Sequence, residues 1–84
     1  MAENPDAIAQ KEARLLEILA SDILELPVGF QITDDLFDAG LDSMSIMRLL
    51  IQVEGAFGCR IPVNQVSREN FSTVAKIAAL IPAG

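Results

Sequence analysis

The sequence predicts an all-α fold: a small antiparallel helical bundle of three main helices and one short helix, with a long loop between helices one and two. Apolar residues recur at helical spacing in two long stretches, Ile8, Leu15, Leu16, Leu19 and Ile23, then Ile46, Leu49, Leu50, Val53 and Phe57. A shorter set, Val74, Ile77, Ala78 and Ile81, repeats the pattern near the end. No stretch alternates with the period of two that a half-buried strand requires, and no internal repeat is visible.

The chain has 84 residues and reads as one domain over residues 1–84. A domain of this size hides only about 60% of its unfolded surface, so every apolar group counts. Cys59 is the one cysteine and histidine is absent, so neither an internal disulfide nor a metal cluster can supply extra stability. The core has to come from the apolar 51% of the composition.

Each element has its own local signals. Asn4 and Pro5 form a helix start, because Asn caps and Pro at the first helical position gives up an N–H that would be unpaired anyway. The first helix is expected over residues 5–24, with Pro27 and Gly29 ending it. Residues 25–42 show no sustained period, yet they carry Leu26, Val28, Phe30, Ile32, Leu36, Phe37 and Leu41. A connection that long and that apolar is expected to pack over the core.

The second helix is expected to begin at Ser43 and to end near Phe57, with Gly58 in the left-handed conformation that terminates helices. A short helix is expected over residues 65–70, capped by Asn64. Ser72 is expected to cap the last helix, which Pro82 ends. On the second helix, Met44, Met47 and Ile51 lie at i, i+3 and i+7 beside Arg48, off the core face. A helix that buries one stripe ordinarily shows charge on the other. Gly55 lies one turn beyond Ile51 on that same face, either leaving room for a partner's backbone or varying freely.

Charge narrows the partners. The net charge is −6 with a pI near 4.3, which disfavours nucleic acid, whose phosphates attract Lys and Arg. Residues 1–42 hold ten of the twelve acids against Lys11 and Arg14, a balance of −8, and the remainder stands at +2. Glu3, Asp6 and Glu12 occupy the place where a secretory signal needs a basic start and an apolar run, so a cytoplasmic location is expected. Every apolar run is broken well short of the roughly 20 residues of a membrane span.

Ser43 is the candidate for chemistry. In the bland reading, Asp42 or Ser43 is an ordinary N-cap ahead of an apolar run. No capping box reinforces it, since Ser45 and Ile46 stand where Glu or Gln would be needed. A serine nucleophile requires a base, and with histidine absent only a distant Ser-Lys device through Lys11 or Lys76 is open. Self-contained catalysis is therefore not expected. A serine without a base can still be modified by another enzyme, and a helix N-terminus favours a phosphate ester.

The order "DDLFDAGLDSMSIMRLLIQVEGAFGCRIP" followed by "FSTVAKIAALI" resembles the acyl and peptidyl carrier proteins across residues 34–81. The resemblance rests on Leu36-Phe37, Gly40-Leu41-Asp42-Ser43, the helix ending in Glu54, Phe57 and Gly58, the Ile61-Pro62 turn and the Thr73-Val74 helix. It implies a 4′-phosphopantetheine arm joined covalently to Ser43, transferred from coenzyme A by a phosphopantetheinyl transferase. The arm would hold an acyl or aminoacyl group as a thioester. Asp42 would serve transferase recognition and help engage that enzyme's magnesium ion, with no metal bound stably by this chain.

Two departures from the family pattern bear on the cargo. Met44 replaces the usual leucine after the serine, a mild change because Met is adaptable. The second helix carries Arg48 and only one acid, Glu54, where fatty-acid carriers are acidic. Docking is therefore expected to be apolar, through Leu41, Met44, Met47 and Ile51 with Arg48. The stretch "NQVSRENFSTVAKI" also resembles discrete aminoacyl and D-alanyl carriers. An aminoacyl, aryl or nonribosomal-peptide carrier is favoured, with a fatty-acid or polyketide carrier as the alternative. From a different class, an unmodified helical interaction module would use the same apolar stripe to grip a partner helix. The expected partners are the transferase, an adenylating or acyl-loading enzyme, and condensing, tailoring or releasing enzymes, all meeting a monomer.

Overall fold

Leu15, Ile18 and Leu19 fall on one side of the first helix and are buried, which anchors the packing of everything that follows. The computed structural model describes residues 5–81, with side chains from residue 7. The expected cap Asn4 and the terminator Pro82 lie outside the described residues. Helix α1 spans Pro5–Ile18 and runs on into a wider π turn over Leu19–Ile23, closed by Leu24 N donating to Leu19 O at 2.7 Å. Inside that turn the Ser21 hydroxyl donates to the Glu17 carbonyl at 2.7 Å, competing with the regular backbone ladder. The helical path thus ends before Pro27 and Gly29 are reached.

Helix α2 spans Ser43–Phe57 as expected and ends at Gly58, whose φ of 69° is left-handed and whose N–H donates to Glu54 O. It buries Leu49 and Val53, with Ile46, Leu50 and Phe57 half-buried against the core. Helix α3 spans Val74–Leu80 and buries Val74, Ile77 and Ala78. Helix α1 packs chiefly against α3, and its π turn against α2. No strand occurs among the described residues.

Neither cap expected in the second half of the chain stands where the sequence put it. Thr73, not Ser72, caps α3: its backbone is extended and its hydroxyl accepts from Lys76 N at 3.1 Å. The expected short helix over 65–70 is absent. A single 3-10 turn occupies Val63–Gln65 instead, so Asn64 lies inside a turn and not at a cap. Ser67 and Asn70 explain the difference. Ser67 Oγ accepts from Asn70 N, and the Asn70 amide donates to Gln65 O, both at 3.0 Å, satisfying locally the groups a helix would have paired.

The loop between α1 and α2 is packed as expected except at Val28, which is fully exposed. Leu36 and Leu41 are buried, and Leu26, Phe30, Ile32 and Phe37 lean on the same cluster. It is also tied by its backbone to the start of α3, through Leu36 N to Ser72 O at 2.7 Å and Ala75 N to Ile32 O at 3.1 Å. Phe71, fully buried, fills the space between loop and helices. Lys11 is 9% exposed, and its ammonium donates to the Ile81 carbonyl at 2.6 Å, capping the end of α3 from α1. The apolar stem of Lys11 follows the core while its head serves the helix end.

Candidate functional site

The approach to Ser43 is shaped by the turn that precedes it. Leu36 accepts from both Ala39 N and Leu41 N, at 3.1 and 3.0 Å, and Gly40 takes a φ of 110° that a residue with Cβ adopts only under strain. Leu41 is thereby driven inward and the chain leaves the core at Asp42. Asp42 is the N-cap of α2, with φ −139°, and Oδ1 accepts from Ser45 N at 2.9 Å. The cap is Asp42, not Ser43, because the extended residue is the one whose side chain can reach forward to the third N–H. Ser43 is the first helical residue. It is exposed, and among the described residues its hydroxyl makes no hydrogen bond to the protein.

The backbone N–H and the hydroxyl of Ser45, with a smaller contribution from the Met44 N–H, stabilise the Asp42 carboxylate and hold its pKa below the ordinary 3.8. Asp42 is therefore an anion near neutrality, directly beside an unengaged hydroxyl. An open depression of about 410 Å³ runs from this pair, with Phe37, Ile46, Val66 and Arg68 on its walls. The Arg68 guanidinium lies over the Phe37 ring, 4.5 Å from its centroid. Arg68 and Phe37 were not singled out by the sequence as site residues. A lone arginine in a loop 25 positions from the serine carries no local signal, and only the fold brings it there.

The expected docking residues divide. Met44, Met47 and Ile51 are 78%, 62% and 68% exposed, and Arg48 is exposed beside them at helical spacing. Leu41 is a correction: at 4% exposure it belongs to the core, because the turn at Gly40 points it inward. At Gly55 an added Cβ would meet nothing within 4 Å, so no packing within the described chain requires a glycine there. Cys59 is half-buried against the core. No group of potential metal ligands occurs among the described residues.

Residues 13–81 match the protein family described as "Phosphopantetheine attachment site". The chain is 37% identical over 67 residues to the D-alanyl carrier protein of Streptococcus sanguinis, covering 79% of this chain and 84% of that protein. The D-alanyl carrier protein of Streptococcus thermophilus matches with the same identity and coverage. Among solved structures, one similar chain occurs in an engineered Bradyrhizobium japonicum glycine:[carrier protein] ligase complexed with carrier protein from Agrobacterium tumefaciens and ATP. It aligns with a TM-score of 0.72 and 32% identity over 84% of this chain and 95% of that one. A second, from the Bradyrhizobium japonicum ligase complexed with glycylated carrier protein, aligns with a TM-score of 0.67 and 26% identity, over 90% of this chain and 100% of that one.

Proposed function

Because the chain belongs to the family of proteins with a phosphopantetheine attachment site, we propose that it carries small aminoacyl groups between enzymes on a 4′-phosphopantetheine arm joined to Ser43. The observation that carries this reading is the exposed, unengaged Ser43 hydroxyl at the first position of α2, next to the capping carboxylate of Asp42. The residues present fit the group. The hydroxyl is open to a visiting enzyme, the helix start favours a phosphate ester, and the depression beside it has room for the arm's first atoms. When bound, the arm supplies a thiol that holds the cargo as a thioester.

In the attachment step, Ser43 Oγ forms a bond to the phosphorus that bears the pantetheine of coenzyme A. The bond from that phosphorus to the bridging diphosphate oxygen breaks, and adenosine 3′,5′-bisphosphate leaves with the electron pair. The serine proton passes to a base on the transferase, since this chain has no histidine to accept it. Asp42, held as an anion, marks the serine for the transferase and its magnesium ion. The chain itself performs no catalysis and acts as a single, monomeric carrier domain.

Small amino acids are favoured as cargo because similar proteins are named D-alanyl carriers and similar chains occur in complexes with a glycine ligase. The proposed partners are the transferase, an adenylating ligase, and a condensing, tailoring or releasing enzyme, in the cytoplasm where coenzyme A and ATP are supplied. Helix α2 presents Met44, Met47, Arg48 and Ile51 to them. A surface with one acid, Glu54, on that helix offers little steering toward basic fatty-acid enzymes.

The test begins with coenzyme A, a broad transferase and intact mass measurement. Gain of one phosphopantetheine, abolished in Ser43→Ala, is expected. A folded wild-type chain that gains nothing favours the unmodified interaction module instead. Loading by adenylating enzymes for glycine, D-alanine and aryl acids then reads the cargo, and exclusive acceptance of long fatty acyl groups overturns the aminoacyl reading.

A further inference from the structure

On the carrier reading above, we infer that Arg68, seated over Phe37, binds the phosphodiester of the arm on Ser43 and folds the arm's first atoms across the depression they share. The depression begins at Ser43 itself, so its occupant is tethered at its rim. Among its lining residues, the only charged ones are Asp42 and Arg68. Joining a phosphodiester to Ser43 sets a second anion beside the Asp42 carboxylate, and like charges that close repel. Arg68 is the cation on the same walls that offsets them.

The condition of Arg68 suits this task. Arg14 and Arg60 each pair with a glutamate, at 2.6 and 3.2 Å, whereas Arg68 has no carboxylate partner among the described residues. Its contact is the Phe37 ring, which attracts the charge without supplying an oxygen acceptor. The donor fork is left for an oxyanion, and guanidinium geometry matches phosphate oxygens better than an ammonium does. Beyond the phosphate, Ile46 and Val66 give the depression apolar walls against which the arm's gem-dimethyl group can lie. Phe37 is itself fixed, because its N–H donates to Asp35 Oδ1 at 2.8 Å and its side chain packs on the core.

The test uses the full chain converted to its holo form and confirmed by mass. In the wild type, the Arg68 Nε–H nuclear magnetic resonance signal is expected to move between apo and holo forms. The arm's gem-dimethyl protons are expected to show cross-relaxation to the methyls of Ile46 and Val66. Arg68→Gln is expected to weaken those cross-peaks roughly threefold, the scale of one exposed ion pair. Arg68→Lys, which keeps charge without the planar fork, is expected to fall between, and it carries the comparison should the Gln variant disturb the apo spectrum beyond its own loop. Equal cross-peaks in wild type and variants, or none in wild-type holo protein, overturn the inference and leave the carrier reading intact. A wild-type chain that takes up no arm sinks the carrier reading, and this inference with it.

Discussion

A carboxylate that accepts from a backbone N–H is favoured in its charged form, and Asp42 does so from Ser45 at 2.9 Å. Its folded pKa lies below its unfolded value, so the cap's electrostatic contribution is fully present above about 3.8 and is lost as pH falls through the lower folded value. Asp42→Asn removes the titration but keeps a side chain that can cap. The difference in Tm between wild type and Asp42→Asn is expected at neutral pH and should close as pH drops below that range, measured by thermal unfolding across an acid series. A difference that widens in acid would contradict the direction of the shift. The Asp42-Ser43 pair was legible in the sequence, but the division of labour was not. Asp and Ser are both good caps, and so are Ser72 and Thr73. The choice falls to whichever residue the loop leaves extended, near φ −139° at both helices.

At the scale of elements, α2 is the most legible because three signals agree: apolar period, polar start and a glycine stop. Its exposed Met44, Met47 and Ile51 leave apolar surface uncovered by the described chain. Met47→Asp and Ile51→Asp are expected to lower kcat/KM for loading by a cognate ligase about tenfold each, as at a central interface contact, with little change in Tm. Unchanged loading would move the docking face elsewhere. At α3, Thr73→Ala removes the hydroxyl that accepts from Lys76 and should cost about 1 kcal/mol in urea unfolding. Residues 63–70 were the least legible segment. An Asn cap promises a helix there, but Ser67 and Asn70 satisfy the backbone locally, and side-chain competition of that kind leaves no trace in a periodic pattern.

Across the whole molecule, the site depends on contacts between segments far apart in sequence. Leu36 and Leu41 come from the loop, Leu15 from α1, Leu19 from its π turn, Phe71 from the segment just before α3 and Val74 from its first residue, all in one buried cluster. Ser43 could be found by motif, whereas Leu41's inward turn and Arg68's approach follow from how that cluster closes. Lys11 was likewise hidden: in a helical pattern it reads as solvated, and only packing shows its ammonium on the Ile81 carbonyl. The loop ahead of Ser43 has no regular secondary structure, yet the Leu36 amide donates to Ser72 and the Ala75 amide to Ile32. In deuterated water, the Leu36 N–H should therefore keep its proton about as long as Leu49 on α2 does, and not exchange on the short timescale of a free surface loop. The platform that presents the serine then opens only when the α3 end of the globule opens, so a carrier that must meet several enzymes in turn offers each of them the same preset mount.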